Sequence, residues 1–352
     1  MKLTFRWYGK SDPVTLDKIR QIPKMSGIVS AVYDVLPGCV WQDESIKEIK
    51  TLANQNGLDF EVVESVPVPE EIKYGGKNAP LLIENYCENI RRLSKHGIKC
   101  ICYNFMPVFD WLRSELTYKH ADGSNSLAFF SEQIEMLDPL KTSLSLPGWD
   151  ESYKKDELAR LINTYKEIGK EGLWKNLEIF LKAVIPVCHE CGVNMAIHPD
   201  DPPWDIFGLP RIIVDEKNIE RFLDIVPLKE NGITLCTGSL GASRNNNLIN
   251  IAEKYASRIH FLHLRNILRN EKNDFIEVGH PTECGSIDMF GIVKALVKNG
   301  FDGYVRPDHG RMIWGESGKY GYGLYDRALG ATYIVGLFEG IEKMLGENYD
   351  KK

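Results

Sequence analysis

The chain has 352 residues, of which 43% are hydrophobic and 26% are charged, as in ordinary globular proteins. Its 43 Lys and Arg residues against 49 Asp and Glu residues give a formal charge of −6, which disfavours a nucleic-acid partner because no broad basic field would hold the phosphates. No apolar run approaches the ~20 residues that cross a membrane, and the start MKLTFRWYG lacks an apolar signal core, so we expect a cytoplasmic protein that does not enter membranes.

The first hundred residues alternate between strand-like and helix-like segments. Runs rich in β-branched and aromatic residues predict strands at 3–8, 27–35, 59–66 and 98–105. Apolar residues at helical spacing predict helices between them, at 13–22, 44–57 and 78–97. A helix between every two consecutive strands favours parallel pairing of those strands.

The alternation breaks between residues 106 and 172, a span far longer than the usual loop between a strand and a helix. This insertion contains FDWLRSEL, an aromatic and Pro-rich middle, and a charged helical stretch from about Tyr153 to Lys170. It has little apolar content for a core of its own. We therefore predict that it forms a lid or a wall of the active site within one catalytic domain, 1–352.

The alternation resumes at Trp174. Strands are predicted at 193–199, 232–238, 259–266 and 303–310, with a short extended piece at 275–280. Helices are predicted at 174–192, 215–226, 245–258, 287–300 and 325–345. Eight strands alternating with eight helices predict an α/β fold, a (β/α)8 TIM barrel with its active site at the carboxyl ends of the strands. An open doubly wound sheet is the alternative, but no Gly-x-Gly-x-x-Gly motif follows the first strand.

Four predicted strands end in a side chain that can bind a metal ion, namely His198, Cys236, His263 and Asp308. Imidazole, thiolate and carboxylate together suit Mn, Fe, Co or Zn much better than Mg. Taken singly, a strand Cys is more often a core residue, and a His is as often an ordinary polar partner. Four such tips at one end of a barrel together predict a metal site.

Other polar residues near the predicted strand ends suit a hydroxylated substrate that carries a carboxylate. Arg306 and Arg311 could make planar bidentate contacts to a carboxylate. Partners for hydroxyl groups are offered by Trp7, Asn104 and Asp200, and also by Arg6 and Asp201. The alternative is that Arg306 pairs with a neighbouring carboxylate and that the two Asp residues cap a turn.

His309 and the loop YGYGLYDR offer groups for proton transfer. A His beside a metal ligand can titrate near neutral pH, and a Gly-rich loop can bring Tyr320, Tyr322 or Tyr325 close to the site. We hypothesise that His309 and Tyr322 share the roles of base and acid, with no assignment of which does which. Both Asp308 and His309 can reach a substrate only if the strand has ended before them.

Long blocks of the chain resemble the mannonate dehydratase family of hexuronate degradation. They include FRWYG, VVESVPVPEEIKYG, YNFMPVFDWLR, HPDDPPWDIFGLPRI, GSLGASRNN, RIHFLHLRN, RPDHGRMIWGE and YDRALGATY, which together span nearly the whole chain. The resemblance implies a xylose-isomerase-like barrel that binds Mn²⁺ or Fe²⁺ and dehydrates D-mannonate to 2-keto-3-deoxy-D-gluconate. It also implies that His198, Cys236, His263 and Asp308 hold the ion, and it suggests a homodimer.

Two other functions remain open from the sequence. A metal-dependent sugar isomerase or epimerase could use the same barrel, although such sites usually use several Glu and Asp ligands where this chain offers Cys236. A non-catalytic protein that binds a sugar acid would show ligand-dependent stabilisation without turnover.

Overall fold

The computed structural model describes residues 1–139, 155–270 and 272–346 of the chain. The strands in these residues are β1 (Lys2–Arg6), β2 (Gly27–Ser30), β3 (Asp59–Glu64), β4 (Cys100–Tyr103), β5 (Glu115–Lys119), β6 (Asn125–Phe129), β7 (Asn194–Ile197), β8 (Asn231–Cys236), β9 (Ile259–His263), β10 (Asn266–Arg269), β11 (Phe275–Val278) and β12 (Tyr304–Arg306). Eight of them pair in parallel and close in the order β1-β12-β9-β8-β7-β4-β3-β2. The predicted eight-stranded barrel is therefore confirmed.

Helices alternate with the barrel strands. They are α1 (Leu16–Ile19), α2 (Asp43–Gln55), α3 (Glu70–Tyr74), α4 (Ala79–Lys95), α5 (Ser131–Glu135), α6 (Lys155–Cys191), α7 (Glu216–Ile225), α8 (Thr237–Leu240), α9 (Leu248–Tyr255), α10 (Met289–Lys298) and α11 (Tyr325–Met344). The backbone leaves the helical conformation at Gly169, so α6 consists of two helices that meet there. Tyr153, where the first of them was expected to start, lies outside the described residues. No helix among the described residues is long and apolar enough to cross a membrane.

Strand alternation fills the barrel interior in layers. The apolar layers include Val29, Val62, Cys100, Cys102, Ala196 and Phe261, all almost completely buried. Because side chains two residues apart share a face of a strand, the residues after these layers also point inward. His263, for example, lies directly above Phe261, with 4.4 Å between the ring centroids. The polar site is therefore built on the last apolar layer of the barrel.

Parallel register brings the strand ends to one level. Cys236 at the end of β8 pairs with His263 at the end of β9, and His263 pairs with Arg306 at the end of β12. The last barrel strand is shorter than predicted and ends at Arg306. Asp308 and His309 consequently lie in the loop that follows, where both side chains can turn toward the cavity.

An accessory sheet lies beyond the barrel. It is antiparallel in the order β10-β11-β6-β5, so a hairpin from the insertion pairs with a hairpin that follows β9. Phe275 and Ile276 pair with Phe129 and Ala128 across a long separation in sequence. The extended piece predicted at 275–280 is confirmed as β11, but its pairing with the insertion was not foreseen.

Candidate metal and proton-transfer site

A cavity of about 400 Å³ lies at the carboxyl ends of the barrel strands, within the size range of small-molecule sites. Its lining carries charges of both signs. The positive side chains include Arg6, Arg306 and Lys319, and the negative ones include Glu64 and Asp308. The location is the one predicted from the barrel topology.

The four predicted metal ligands come together. His198, Cys236 and His263 each offer one ligand atom, and these atoms lie within 4.8 Å of one another. Asp308 joins them, since its Oδ2 is 3.5 Å from the Sγ of Cys236 and its Oδ1 is 3.6 Å from the Nδ1 of His263. The strand tips thus present two imidazoles, a thiol and a carboxylate to one point.

The state of these donors fits a metal ion. The buried Nδ1 of His263 has no hydrogen-bond partner among the described residues. Its Nε2 accepts from the Nε of Arg306 at 3.0 Å, which puts the hydrogen of the neutral ring on Nδ1, so His263 would bind a metal ion only by exchanging one of these two arrangements for the metal. Burial, reinforced by Arg306, holds the pKa of His263 well below its usual value, so the imidazole is neutral as a ligand must be. Burial also raises the pKa of Cys236 to about 12, and a bound cation would favour the thiolate instead.

A chain of hydrogen bonds links the predicted proton-transfer residues. The Nε2 of His309 is 2.9 Å from the phenolic oxygen of Tyr322, and its Nδ1 is 2.9 Å from Oε1 of Glu277. Because an ionised carboxylate only accepts, Nδ1 carries the hydrogen and Nε2 faces Tyr322. Burial opposes ionisation of Glu277, but His309, Arg265 and Arg113 outweigh it and lower its pKa to about 2. Glu277 is therefore a carboxylate that fixes the tautomer of His309.

The tyrosine loop separates its three candidates. Tyr322 is buried and lines the cavity, whereas Tyr320 and Tyr325 are largely exposed and lie outside its lining. Gly321 precedes Tyr322 with φ +79°, and a Cβ there would lie 2.7 Å from Leu127. A glycine is needed at this position to let the loop descend onto the accessory sheet.

A buried ionic network joins the hydrogen-bonded residues Glu277, His309 and Tyr322 to the candidate metal site. Arg113 forms a bidentate pair with Asp201, with both contacts at 2.9 Å, and it also reaches Glu277 at 2.8 Å. Arg265 contacts Asp201 at 2.6 Å, Glu277 at 2.7 Å and Asp308 at 2.8 Å. Two arginines and three carboxylates, all almost completely buried, therefore satisfy one another, as buried charges require.

The sequence reasoning missed Arg113, Arg265 and Glu277. A weak signal was present, because each is a charged residue within or directly beside an apolar strand-like run, in FDWLRS, FLHLRN and FIEV. The structure shows that Gly238 makes room for Arg265, since a Cβ there would lie 2.6 Å from its side chain.

The structure places two of the five predicted substrate-binding residues in the lining of the cavity. Asn104 and Arg306 line the cavity. Trp7, Asp200 and Arg311 are not among the described residues that line it. Their role as substrate contacts stays a prediction, and the surroundings of all three favour a structural role instead.

Each of the three has other partners. Trp7 packs in the apolar core between barrel and helices, because Arg6 and Tyr8 on either side of it face inward. Asp200 accepts hydrogen bonds from the backbone nitrogens of Ile212 and Ile213, the turn role that was the alternative. Arg311 forms a bidentate pair with Asp326.

The chain is similar to mannonate dehydratases over almost its whole length. The family model described as D-mannonate dehydratase (UxuA) matches residues 1–348. A mannonate dehydratase of Oceanobacillus iheyensis is 54% identical over 342 residues, which is 97% of this chain and 98% of that protein. One from Streptococcus uberis is 51% identical over 345 residues, covering 97% and 99% respectively.

Solved structures give the same result. The crystal structure of mannonate dehydratase from Streptococcus suis serotype 2 superposes with a TM-score of 0.93 at 47% identity, covering 99% of this chain and 97% of that one. A xylose isomerase domain protein from Planctomyces limnophilus superposes with a TM-score of 0.54 at 10% identity, covering 98% and 99%, which shows a shared fold alone. The chain belongs to the D-mannonate dehydratase family.

Proposed function

We propose that the protein is a hydro-lyase that dehydrates D-mannonate to 2-keto-3-deoxy-D-gluconate in hexuronate catabolism. Its metal ion would be Mn²⁺ or Fe²⁺, held by His198, Cys236, His263 and Asp308. The observation that carries the proposal is that His198 and Asp308, two members of this clustered donor set, line the same cavity as His309 and Tyr322, in a chain that belongs to the family. Mixed nitrogen, sulfur and oxygen donors favour a transition ion over Mg²⁺.

The chemistry needs a strong electrophile and two proton-transfer groups. The C2 proton of a 2,3-dihydroxy acid is very weakly acidic, because it is next to a carboxylate rather than a ketone. The bound metal ion would supply stabilisation of the negative charge that develops on substrate oxygen atoms. The remaining work, taking a proton from C2 and giving one to the C3 hydroxyl, falls to side chains of the protein.

The geometry supports His309 as the base and Tyr322 as the acid. Glu277 keeps the hydrogen on Nδ1 of His309. The lone pair of Nε2, which accepts from the Tyr322 hydroxyl, can then take the C2 proton once that hydroxyl turns to the substrate. The C–H electron pair then forms the C2=C3 bond, and the C3–O bond breaks. Burial raises the pKa of Tyr322, so the phenol keeps its proton until the departing hydroxide takes it as water.

Both groups then return to their starting states. The imidazolium of His309 can pass its proton to the phenolate of Tyr322 across their 2.9 Å contact. The released enol tautomerises to the 2-keto acid. No outside acid, base or redox partner is required, which suits an elimination of water.

We also propose that the first part of the insertion 106–172 is a wall of the site. Met106, Asp110 and Trp111 line the cavity, and the ring of Trp111 lies 5.7 Å from that of His309. Asn104 and Arg306, which line the same cavity, would contact the substrate. A homodimer and a cytoplasmic location stay predictions.

Metal analysis combined with product analysis tests the proposed function. The purified protein is stripped of metal, reloaded with Mn²⁺ or Fe²⁺ and incubated with D-mannonate, and we expect a 2-keto-3-deoxy acid by NMR. The Cys236→Ser variant should bind less metal and lose turnover, because a neutral hydroxyl is a much poorer ligand than a thiolate. Aldose–ketose conversion, or binding without turnover, would contradict the proposal.

A matched control removes a thiol that has no place in the donor set. Cys188 lies buried on α6, away from the cavity lining. Cys188→Ser should keep the metal content of the wild type. Equal metal content in Cys236→Ser would remove that residue from the proposed ligands.

A further inference from the structure

The cations of the cavity differ in how far they are already engaged. Arg306 donates from all three nitrogens, to His263 from Nε, to the backbone oxygen of Asp308 from its first terminal nitrogen, and to Glu64 from its second. The second nitrogen is also 2.6 Å from Oδ1 of Asp308. Arg306 therefore organises the metal site and is poorly placed to take up a substrate carboxylate as well.

Arg6, in contrast to Arg306, has hydrogen-bond donors without partners among the described residues. It ends β1 with 9% of its surface exposed and lines the cavity. Its guanidinium donates no hydrogen bond to any described residue, and its buried Nε and first terminal nitrogen have no hydrogen-bond partner. Its nearest charge is Oε2 of Glu64 at 3.3 Å, a contact without hydrogen-bond geometry.

The surroundings hold Arg6 in this unsatisfied position. The guanidinium lies over the rings of Tyr8 at 4.8 Å and Tyr33 at 5.9 Å. Tyr33 in turn donates to the backbone oxygen of Trp7 at 3.1 Å, which fixes the end of the strand. A buried guanidinium with unmet donors is costly unless an acceptor completes it.

The position also fits the chemistry of the substrate. Tyr8 packs edge-on against Tyr322, with 5.0 Å between the ring centroids, so Arg6 and Tyr322 both contact the ring of Tyr8. The carbon that loses its proton is the one bonded to the carboxylate. The residue that binds the carboxylate must therefore be near the proton-transfer pair, as Arg6 is.

We propose that Arg6 binds the carboxylate of the sugar acid and so sets the preference of this site for acids over neutral polyols. This inference rests on the proposed function. Planar guanidinium groups match carboxylates in a bidentate geometry. The remaining cation of the cavity lining, Lys319, lies over the ring of Tyr8 at 4.0 Å. It is more exposed than Arg6, which makes it the weaker candidate for binding the carboxylate.

A pair of ligands that differ only in charge tests the proposal. Dissociation constants for D-mannonate and its neutral amide, D-mannonamide, are measured by calorimetry on metal-loaded protein that carries Tyr322→Phe to suppress turnover, with Arg6 unchanged or replaced by Arg6→Gln or Arg6→Lys. We expect Arg6→Gln to weaken D-mannonate by roughly 10- to 100-fold, as loss of a charged hydrogen-bond partner does, and to change the amide by less than threefold. Arg6→Lys should keep an intermediate preference.

Two controls keep the outcome unambiguous. Lys10→Gln removes one positive charge at an exposed position, so it should change neither dissociation constant, and circular dichroism and metal content must match the wild type. Equal weakening of both ligands in Arg6→Gln, or no weakening of D-mannonate, would overturn the proposal. A wild type that binds D-mannonate without dehydrating it would instead contradict the proposed function.

Discussion

The barrel strand tips and the accessory sheet contribute to the site in different ways. The tips of β7, β8 and β9 and the residues just after β12 bring the proposed metal donors together by parallel register, with each strand contributing one side chain. The accessory sheet contributes Glu277, which is connected to the reacting groups through His309 and through two arginines. The barrel thus supplies the chemistry, and the sheet supplies its orientation and protonation state.

Replacement of Tyr322 tests the barrel side of this comparison and should have the largest effect. Tyr322→Phe removes the proposed acid, so kcat should fall by roughly 10²- to 10⁴-fold. Metal content should remain that of the wild type, because Tyr322 is not among the donors. Turnover within a few-fold of wild type with metal retained would contradict the assignment, and the exposed Tyr320→Phe serves as the control.

Replacement of Glu277 tests the accessory sheet. Glu277→Gln cannot hold the His309 tautomer as a carboxylate does, so we expect kcat to fall by roughly 10- to 100-fold, the usual cost of losing a partner that orients a functional His. KM for D-mannonate should change much less, since Glu277 does not line the cavity. A rise in KM with kcat unchanged would mean that the sheet shapes the cavity instead.

Acid should weaken the ion pairs by which Glu277 attaches the accessory sheet, whereas neutral pH should leave them intact. The pKa of Glu277 is lowered to about 2 in the folded chain, against about 4.3 in an unfolded one, so its contribution to stability is complete above pH ~4.3 and is lost as pH falls toward 2. Denaturant unfolding at pH 7 and pH 3 checks this. The stability difference between wild type and Glu277→Gln should shrink at pH 3, and a constant difference would contradict the expectation.

Arg311 should give the smallest effect. Its guanidinium pairs with Asp326 and with Asp122 at 3.0 Å rather than facing the cavity. Arg311→Gln is therefore expected to leave KM for D-mannonate within threefold of wild type, with at most a modest loss of thermal stability. A large rise in KM would restore the role in carboxylate binding that its sequence position suggested.

Local sequence patterns were sufficient for the barrel and its donors. Strands and helices follow from hydrophobic periodicity, and parallel strands of similar length must deliver their last residues to one face. The predicted strands were mostly too long, as at 27–35 and 303–310, where the structure has Gly27–Ser30 and Tyr304–Arg306. Hydrophobic runs continue past the last ladder hydrogen bond, so periodicity alone cannot locate that end.

The sequence by itself determined the barrel, the family and the convergence of His198, Cys236, His263 and Asp308, because each depends on regular spacing along a strand or on long matching blocks. Only the tertiary structure decided that Arg6 faces the cavity while Arg311 does not, and that Glu277 reaches His309. The position of Glu277 depends on antiparallel pairing between segments more than a hundred residues apart. The difference between Arg6 and Arg311 depends on competition among charged side chains for partners. Neither leaves a periodic signal in the sequence, since the free energy that selects them arises only when the segments meet.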